Sequence, residues 1–284
     1  MTGRNAGWLR QVPRGFGATV GVGAAAGAGS AGATSPRVRL ICLPYGGRGS
    51  SLFRAWPGSL PPSVELYAVE LPGRERRIAE SAITDIGQLI DQLAPALEPL
   101  LDLPVVLFGH SMGALITYRL AVAVKERFAQ DPATVVLSGA QAPWAEDPPI
   151  RRMSGLDDEE LMREFERWGG SAAEFRAHPQ LLHMMLPTVR ADLSVSESVR
   201  ELPAPTGPLL NSRLVLLAGR DDPHYAPAPT LAWRAITTGQ AVHQVFPGGH
   251  FYVDSVTADL LQLLSQEIAL AADPSLGPCG TPTV

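Results

Sequence analysis

The run Val105-Val106-Leu107-Phe108 ends in Gly109-His110-Ser111-Met112-Gly113, and a helical pattern of Ala114, Leu115, Ile116, Tyr118 and Leu120 begins at once. A β-branched and aliphatic run followed without a linker by a helix dictates a strand, a sharp turn and a helix. A serine at the centre of such a turn is forced into an unfavourable backbone region, and glycines two places either side let strand and helix pass without Cβ clashes. Its hydroxyl stands clear of the sheet edge, in front of helix N–H groups that lack intrahelical partners and favour negative charge. An oxyanion formed by attack on a carbonyl is stabilised there.

The 284 residues, 45% hydrophobic and 18% charged, suffice for a sizeable core, and a formal charge of −5 argues against nucleic acid as the main partner. No run of 18 or more apolar residues occurs, so no membrane partner is expected. The two cysteines, Cys42 at a strand end and Cys279 in a Pro/Gly tail, are poorly placed for a bridge, which fits a cytoplasmic chain. Residues 1–36 read as a disordered Gly/Ala-rich extension, 37–272 as the folded domain and 273–284 as a flexible tail. The basic start imitates a secretory signal, but its glycines dilute the apolar stretch that a signal requires.

Within the domain, strands are expected at Val38–Leu43, Glu65–Leu71, Val105–Phe108, Thr134–Gly139, Arg213–Gly219 and near His243–Phe246. A helix from an N-cap at Thr84 or Asp85 should be bent or ended early by Pro95 and Pro99. Strand and helix alternate, which points to a mostly parallel central sheet with helices on both faces. The alternation stops over about 144–205, where Asp157 opens one helix and Leu181 to Leu186 form an apolar run leading to Pro187. A helical insertion next to a catalytic edge reads as a lid, with Met184 and Met185 suited to an adaptable acyl-chain wall. The run Arg74-Glu75-Arg76-Arg77 reads as a solvated loop, with contact to an anionic partner as the sharper alternative.

A neutral serine needs a base within hydrogen-bonding reach, itself oriented by a carboxylate. Of the six histidines, His110 lies inside the turn, His178 and His183 in the insertion, and His224 and His243 beside the acid candidates and a strand. His250 alone follows a strand end through two glycines and is the expected base. Asp222 is the preferred acid over its neighbour Asp221, since adjacent side chains near a strand end point to opposite sides. The expected oxyanion donors are the N–H groups of Met112 and of Gly46, in the glycine-rich loop after the first domain strand. The order Ser111, Asp222, His250 is that of an α/β-hydrolase. No metal is required, and the histidines show no ligand spacing.

Five segments together resemble the type II thioesterases that accompany modular polyketide and nonribosomal peptide synthases. They are Leu43-Pro44-Tyr45-Gly46-Gly47, Leu71-Pro72-Gly73-Arg74-Glu75, Phe108-Gly109-His110-Ser111-Met112-Gly113, Leu186-Pro187-Thr188-Val189-Arg190-Ala191-Asp192, and Phe246-Pro247-Gly248-Gly249-His250-Phe251. The resemblance implies an α/β-hydrolase with Ser111, Asp222 and His250 as its triad. It further implies an editing hydrolase that removes aberrant or stalled acyl groups from the phosphopantetheine arms of acyl or peptidyl carrier proteins. A monomer is expected. No cofactor is implied, because the partner carries the phosphopantetheine. Arg48 departs from the family's small residue beside the oxyanion loop, so it either narrows the entrance or meets the arm's phosphate. A general esterase or acyl-thioester hydrolase, an acyltransferase and a non-catalytic carrier-binding module are the competing readings.

Overall fold

The computed structural model describes residues 7–14, 35–145, 151–167, 179–223, 226–255 and 257–273. The strands are β1 (Leu9–Gln11), β2 (Val38–Leu43), β3 (Val64–Val69), β4 (Val105–His110), β5 (Thr134–Ser138), β6 (Arg213–Gly219) and β7 (Ala241–Phe246). They form one seven-stranded sheet in the order β1-β3-β2-β4-β5-β6-β7. Only β1 is antiparallel to its neighbour; the others run parallel.

Alternate residues of each strand serve opposite faces. Along β4, Val105 and Leu107 pack on the face covered by α1 (Ile86–Leu97) and α2 (Met112–Phe128). Val106 and Phe108 pack on the other face, against Leu260, Leu264 and Ile268 of α6 (Thr257–Ala272). Helices on both faces of a mostly parallel sheet are the layout expected from the sequence, that of the α/β-hydrolases. Between β5 and β6 lie α3 (Asp158–Arg167) and α4 (Pro179–Arg200), and α5 (Pro227–Leu231) follows β6. Among the described residues no helix is long and apolar enough to cross a membrane.

Two local expectations are corrected. The 1–36 segment is not disordered throughout, because residues 7–14 include β1 and a Trp8 only 3% exposed. Its carbonyl accepts from Glu70 N at 2.8 Å, Val12 N donates to Leu66 O at 2.9 Å, and the Arg77 guanidinium lies 4.3 Å from the indole centroid. One buried indole and a short ladder hold residues 7–14 against the sheet. Asp85 caps α1 by accepting from Gln88 N, and the helix ends at Leu97 in a 3-10 turn containing Pro99, as expected, but Pro95 lies inside it and does not end it. Pro187 likewise sits within α4, which continues to Arg200. Tertiary packing outweighs the single backbone bond that each proline forfeits.

Candidate active site

Sterics build the turn at the end of β4. A Cβ at Gly109 would lie 2.1 Å from Gly113 O, and one at Gly113 would lie 2.4 Å from Leu43 O, so neither position admits a side chain. Between them Ser111 adopts φ 54° and ψ −120°, a region a non-glycine residue occupies only when its surroundings enforce it. Ser111 N donates to Ser138 O of β5 at 2.8 Å, which ties the strained residue to the neighbouring strand.

Loops after β6 and β7 bring the remaining groups to the same edge. His250 Nε2 lies 2.9 Å from Ser111 Oγ, and His250 Nδ1 lies 2.7 Å from Asp222 Oδ2. His250 is 4% and Asp222 7% exposed, so this hydrogen-bonded line is sheltered from bulk water. Asp221 turns away and accepts from Gly248 N at 3.3 Å, holding the loop that carries the histidine. The alternation argued for neighbouring aspartates thus separates their roles in space.

Met112 opens α2, where the first N–H groups have no intrahelical acceptor, and it borders the same cleft as Gly46 and Ser111. The cleft's apolar wall comes from Leu115, Met153, Phe165, Val189 and Leu193, supplied largely by α3, α4 and the segment before α3. Met184 is instead 71% exposed, and among the described residues neither it nor Met185 lines the cleft. For Met184 helical phase decides this, since the inward face of α4 is the one carrying Val189 and Leu193; Met185 shares that phase but stands a full turn before them.

The other histidines fall elsewhere. His110 is fully buried, with Nδ1 2.8 Å from Ser138 Oγ, which in turn hydrogen-bonds Tyr252 OH. Burial, and secondarily the nearby His250, pushes the His110 pKa down to about 3, so its imidazole is neutral in the folded protein. His243 lies on β7; His178 and His224 lie outside the described residues, as does the side chain of His183. Cys42 is a free, buried thiol whose pKa is raised by desolvation, an inert core residue. Among the described residues no cluster of His, Cys, Asp or Glu could hold a metal ion.

The expectation of a solvated Arg74-Glu75-Arg76-Arg77 run is corrected for two of its members. Arg74 forms a two-pronged ion pair with Asp192 of α4, and Arg77 covers Trp8; Glu75 and Arg76 are exposed, although Glu75 also binds Ser50 and Ser51. Arg74 and Asp192 stand 118 positions apart, so no local pattern in the sequence pairs them. Each nevertheless belongs to one of the segments that carried the family resemblance.

Fold and site together define an α/β-hydrolase with a Ser-His-Asp constellation beneath a helical insertion. The thioesterase domain family matches residues 38–266, and the chain belongs to that family. Over 244 residues it is 32% identical to the probable cadicidin biosynthesis thioesterase of Streptomyces griseus, a match spanning 84% of this chain and 66% of that protein. It is 32% identical to the human medium-chain S-acyl fatty acid synthase thioesterase, over 76% of this chain and 80% of that one. The structure of BorB, the type II thioesterase of the borrelidin biosynthetic cluster, superposes with a TM-score of 0.75 at 30% identity, covering 92% of this chain and 97% of that one.

Proposed function

We propose that this thioesterase hydrolyses aberrant or stalled acyl groups from the phosphopantetheine arms of carrier proteins in polyketide or nonribosomal peptide assembly, without a cofactor of its own. The observation that carries the chemistry is the continuous line from Ser111 Oγ through His250 to Asp222 at the mouth of an apolar cleft. The carrier assignment draws support from the biosynthetic relatives named above.

In this mechanism His250 Nε2 takes the Ser111 proton as Oγ attacks the thioester carbonyl, while Asp222 stabilises the imidazolium. The N–H groups of Met112 and Gly46 receive the developing oxyanion. Collapse breaks the C–S bond, and His250 returns the proton to sulfur. A thiol of pKa about 8.5 needs less help in leaving than an alcohol. Water then attacks the acyl-serine, His250 takes its proton and passes it to Ser111 Oγ, and the free acid departs. In this reading the exposed Arg48, two residues after Gly46, meets the phosphate of the arm.

The test compares matched acyl groups on a carrier protein, on free pantetheine and as oxygen esters. Carrier thioesters should react best, with little dependence on chain length, and Ser111→Ala should lower turnover by on the order of 10⁶. Better turnover of oxygen esters, with no advantage from the carrier, would make the chain a general esterase. Preference for one medium chain length regardless of carrier would align it with the fatty acid synthase relative instead.

A further inference from the structure

The loop that follows β2 presents Gly46, and its geometry is set from both sides of that residue. Before Gly46, the Tyr45 carbonyl accepts from Arg48 N at 3.1 Å, which fixes the plane of the peptide to which Gly46 N belongs. After it, Gly47 N donates to Asp192 Oδ2 at 2.7 Å, which fixes the next peptide plane. The two constraints converge on a single ion pair. Arg74 Nη1 donates both to Asp192 Oδ2 at 2.8 Å and to the Arg48 carbonyl at 3.1 Å, while Nη2 bonds Asp192 Oδ1. Asp192 is only 4% exposed, and its Cβ would lie 3.7 Å from a Cβ placed on Gly46.

Asp192 belongs to α4, whose Val189, Leu193, Ser196 and Arg200 also border the cleft. The helix that an acyl chain would touch is therefore the helix whose carboxylate orients the loop. We infer that Asp192 is a positioning residue: through Gly47 N–H and Arg74 it aims the Gly46 N–H at the oxyanion and makes that aim depend on how α4 is seated. A displaced donor loses most of its worth in the transition state while leaving ground-state binding intact. This inference rests on the serine thioesterase reading above.

Its test is steady-state kinetics of Asp192→Asn on an acyl-pantetheine thioester, with inhibition by the matching trifluoromethyl ketone, which forms an oxyanion on Ser111, and by the product acid, which does not. Loss of one well-aimed donor is worth roughly 10²-fold or more, so a mis-aimed one should lower kcat about 10- to 100-fold. KM should stay within about threefold, the ketone should weaken by the same factor as kcat/KM, and the acid should bind unchanged. Should Asp192→Asn fail to fold with Arg74 left unpaired, the double variant Asp192→Asn/Arg74→Gln carries the same expectation. Thr188→Val removes a neighbouring α4 attachment, the bond from Thr188 Oγ1 to Gly73 O at 3.0 Å, and should leave kcat within about twofold. An equal loss in Thr188→Val, or a raised KM at unchanged kcat in Asp192→Asn, would overturn the inference in favour of a general anchoring or acyl-binding role. Wild-type turnover that ignores Ser111→Ala would sink the hydrolase reading itself, whereas Ser111-dependent turnover indifferent to Asp192 would sink only this inference.

Discussion

The sheet and the helical insertion are held by different forces. Each face of the sheet is a large apolar cluster, continuous from α1 and α2 on one side and into α6 on the other. The C-terminal half of α4 joins the first of these clusters through Val195 and Val199, whereas among the described residues α3, the segment before it and the first half of α4 share a separate small cluster of Met153, Leu161, Leu186 and Val189. Polar side chains supply much of the insertion's remaining attachment. Glu197 accepts from Met153 N at 2.7 Å and Ser154 N at 2.9 Å, Arg190 donates to Ser154 O and Asp158, and Ser198 Oγ accepts from Ile86 N. Hydrogen bonds contribute about 1 kcal/mol each and are directional, whereas a broad apolar interface gives way only as a whole. The weaker apolar anchorage is therefore that of α3 and the segment before it, while the sheet keeps the reacting groups in register.

The largest expected effect lies on the rigid side. Asp222→Asn should lower kcat by about 10⁴-fold, the loss found when a triad histidine is left in the wrong tautomer, and Asp221→Asn by less than about tenfold. Comparable losses in both would mean that the loop, rather than one carboxylate, orients His250. Gly109→Ala comes next. Its Cβ would meet backbone at 2.1 Å, so global stability in a denaturant titration should fall by about 3 kcal/mol or more.

On the other side, Glu197→Gln should free the segment before α3 without loosening the sheet. Amide exchange over residues 151–167 should accelerate roughly 30-fold, equivalent to about 2 kcal/mol, with β4 and β5 unchanged. Equal acceleration in both regions would erase the distinction drawn here. The last effect concerns acid, and it grows with each unit of pH. His110 titrates near 6.5 when unfolded but is held down to about 3 by burial, so below pH 6.5 the unfolded chain binds the additional proton. Stability should therefore decline as pH falls from 6.5 toward 3, by about 1.4 kcal/mol per unit from this group. A His110→Gln variant should show a correspondingly shallower slope across pH 6.5 to 4.5; an identical slope would assign the acid sensitivity to other residues.

The same division governs what could be read from the chain. Ser111, His250 and Asp222 were legible because glycines and strand ends constrain them locally, and the parallel sheet because its buried strands are short apolar runs. Met184 was assigned inward from its residue type, but only the phase of a helix running through Pro187 could place it. Arg74 looked solvated because its partner lies on another element, and a charge run carries no sign of the carboxylate that will bury it. β1 escaped because three residues have no periodicity to detect, and their pairing partner stands nearly 60 positions away.

That small strand has a consequence for how the molecule behaves among its own copies. β3 would otherwise end the sheet on one side, with a row of N–H and C=O groups able to recruit a strand from another chain. Leu9 to Gln11 satisfy part of that row, and Trp8 covers apolar surface beneath it. A protein trimmed to begin at residue 37 would retain every catalytic candidate and lose this cover. Its weakness would be self-association along β3, a colloidal failure that an activity measurement on dilute enzyme would never register.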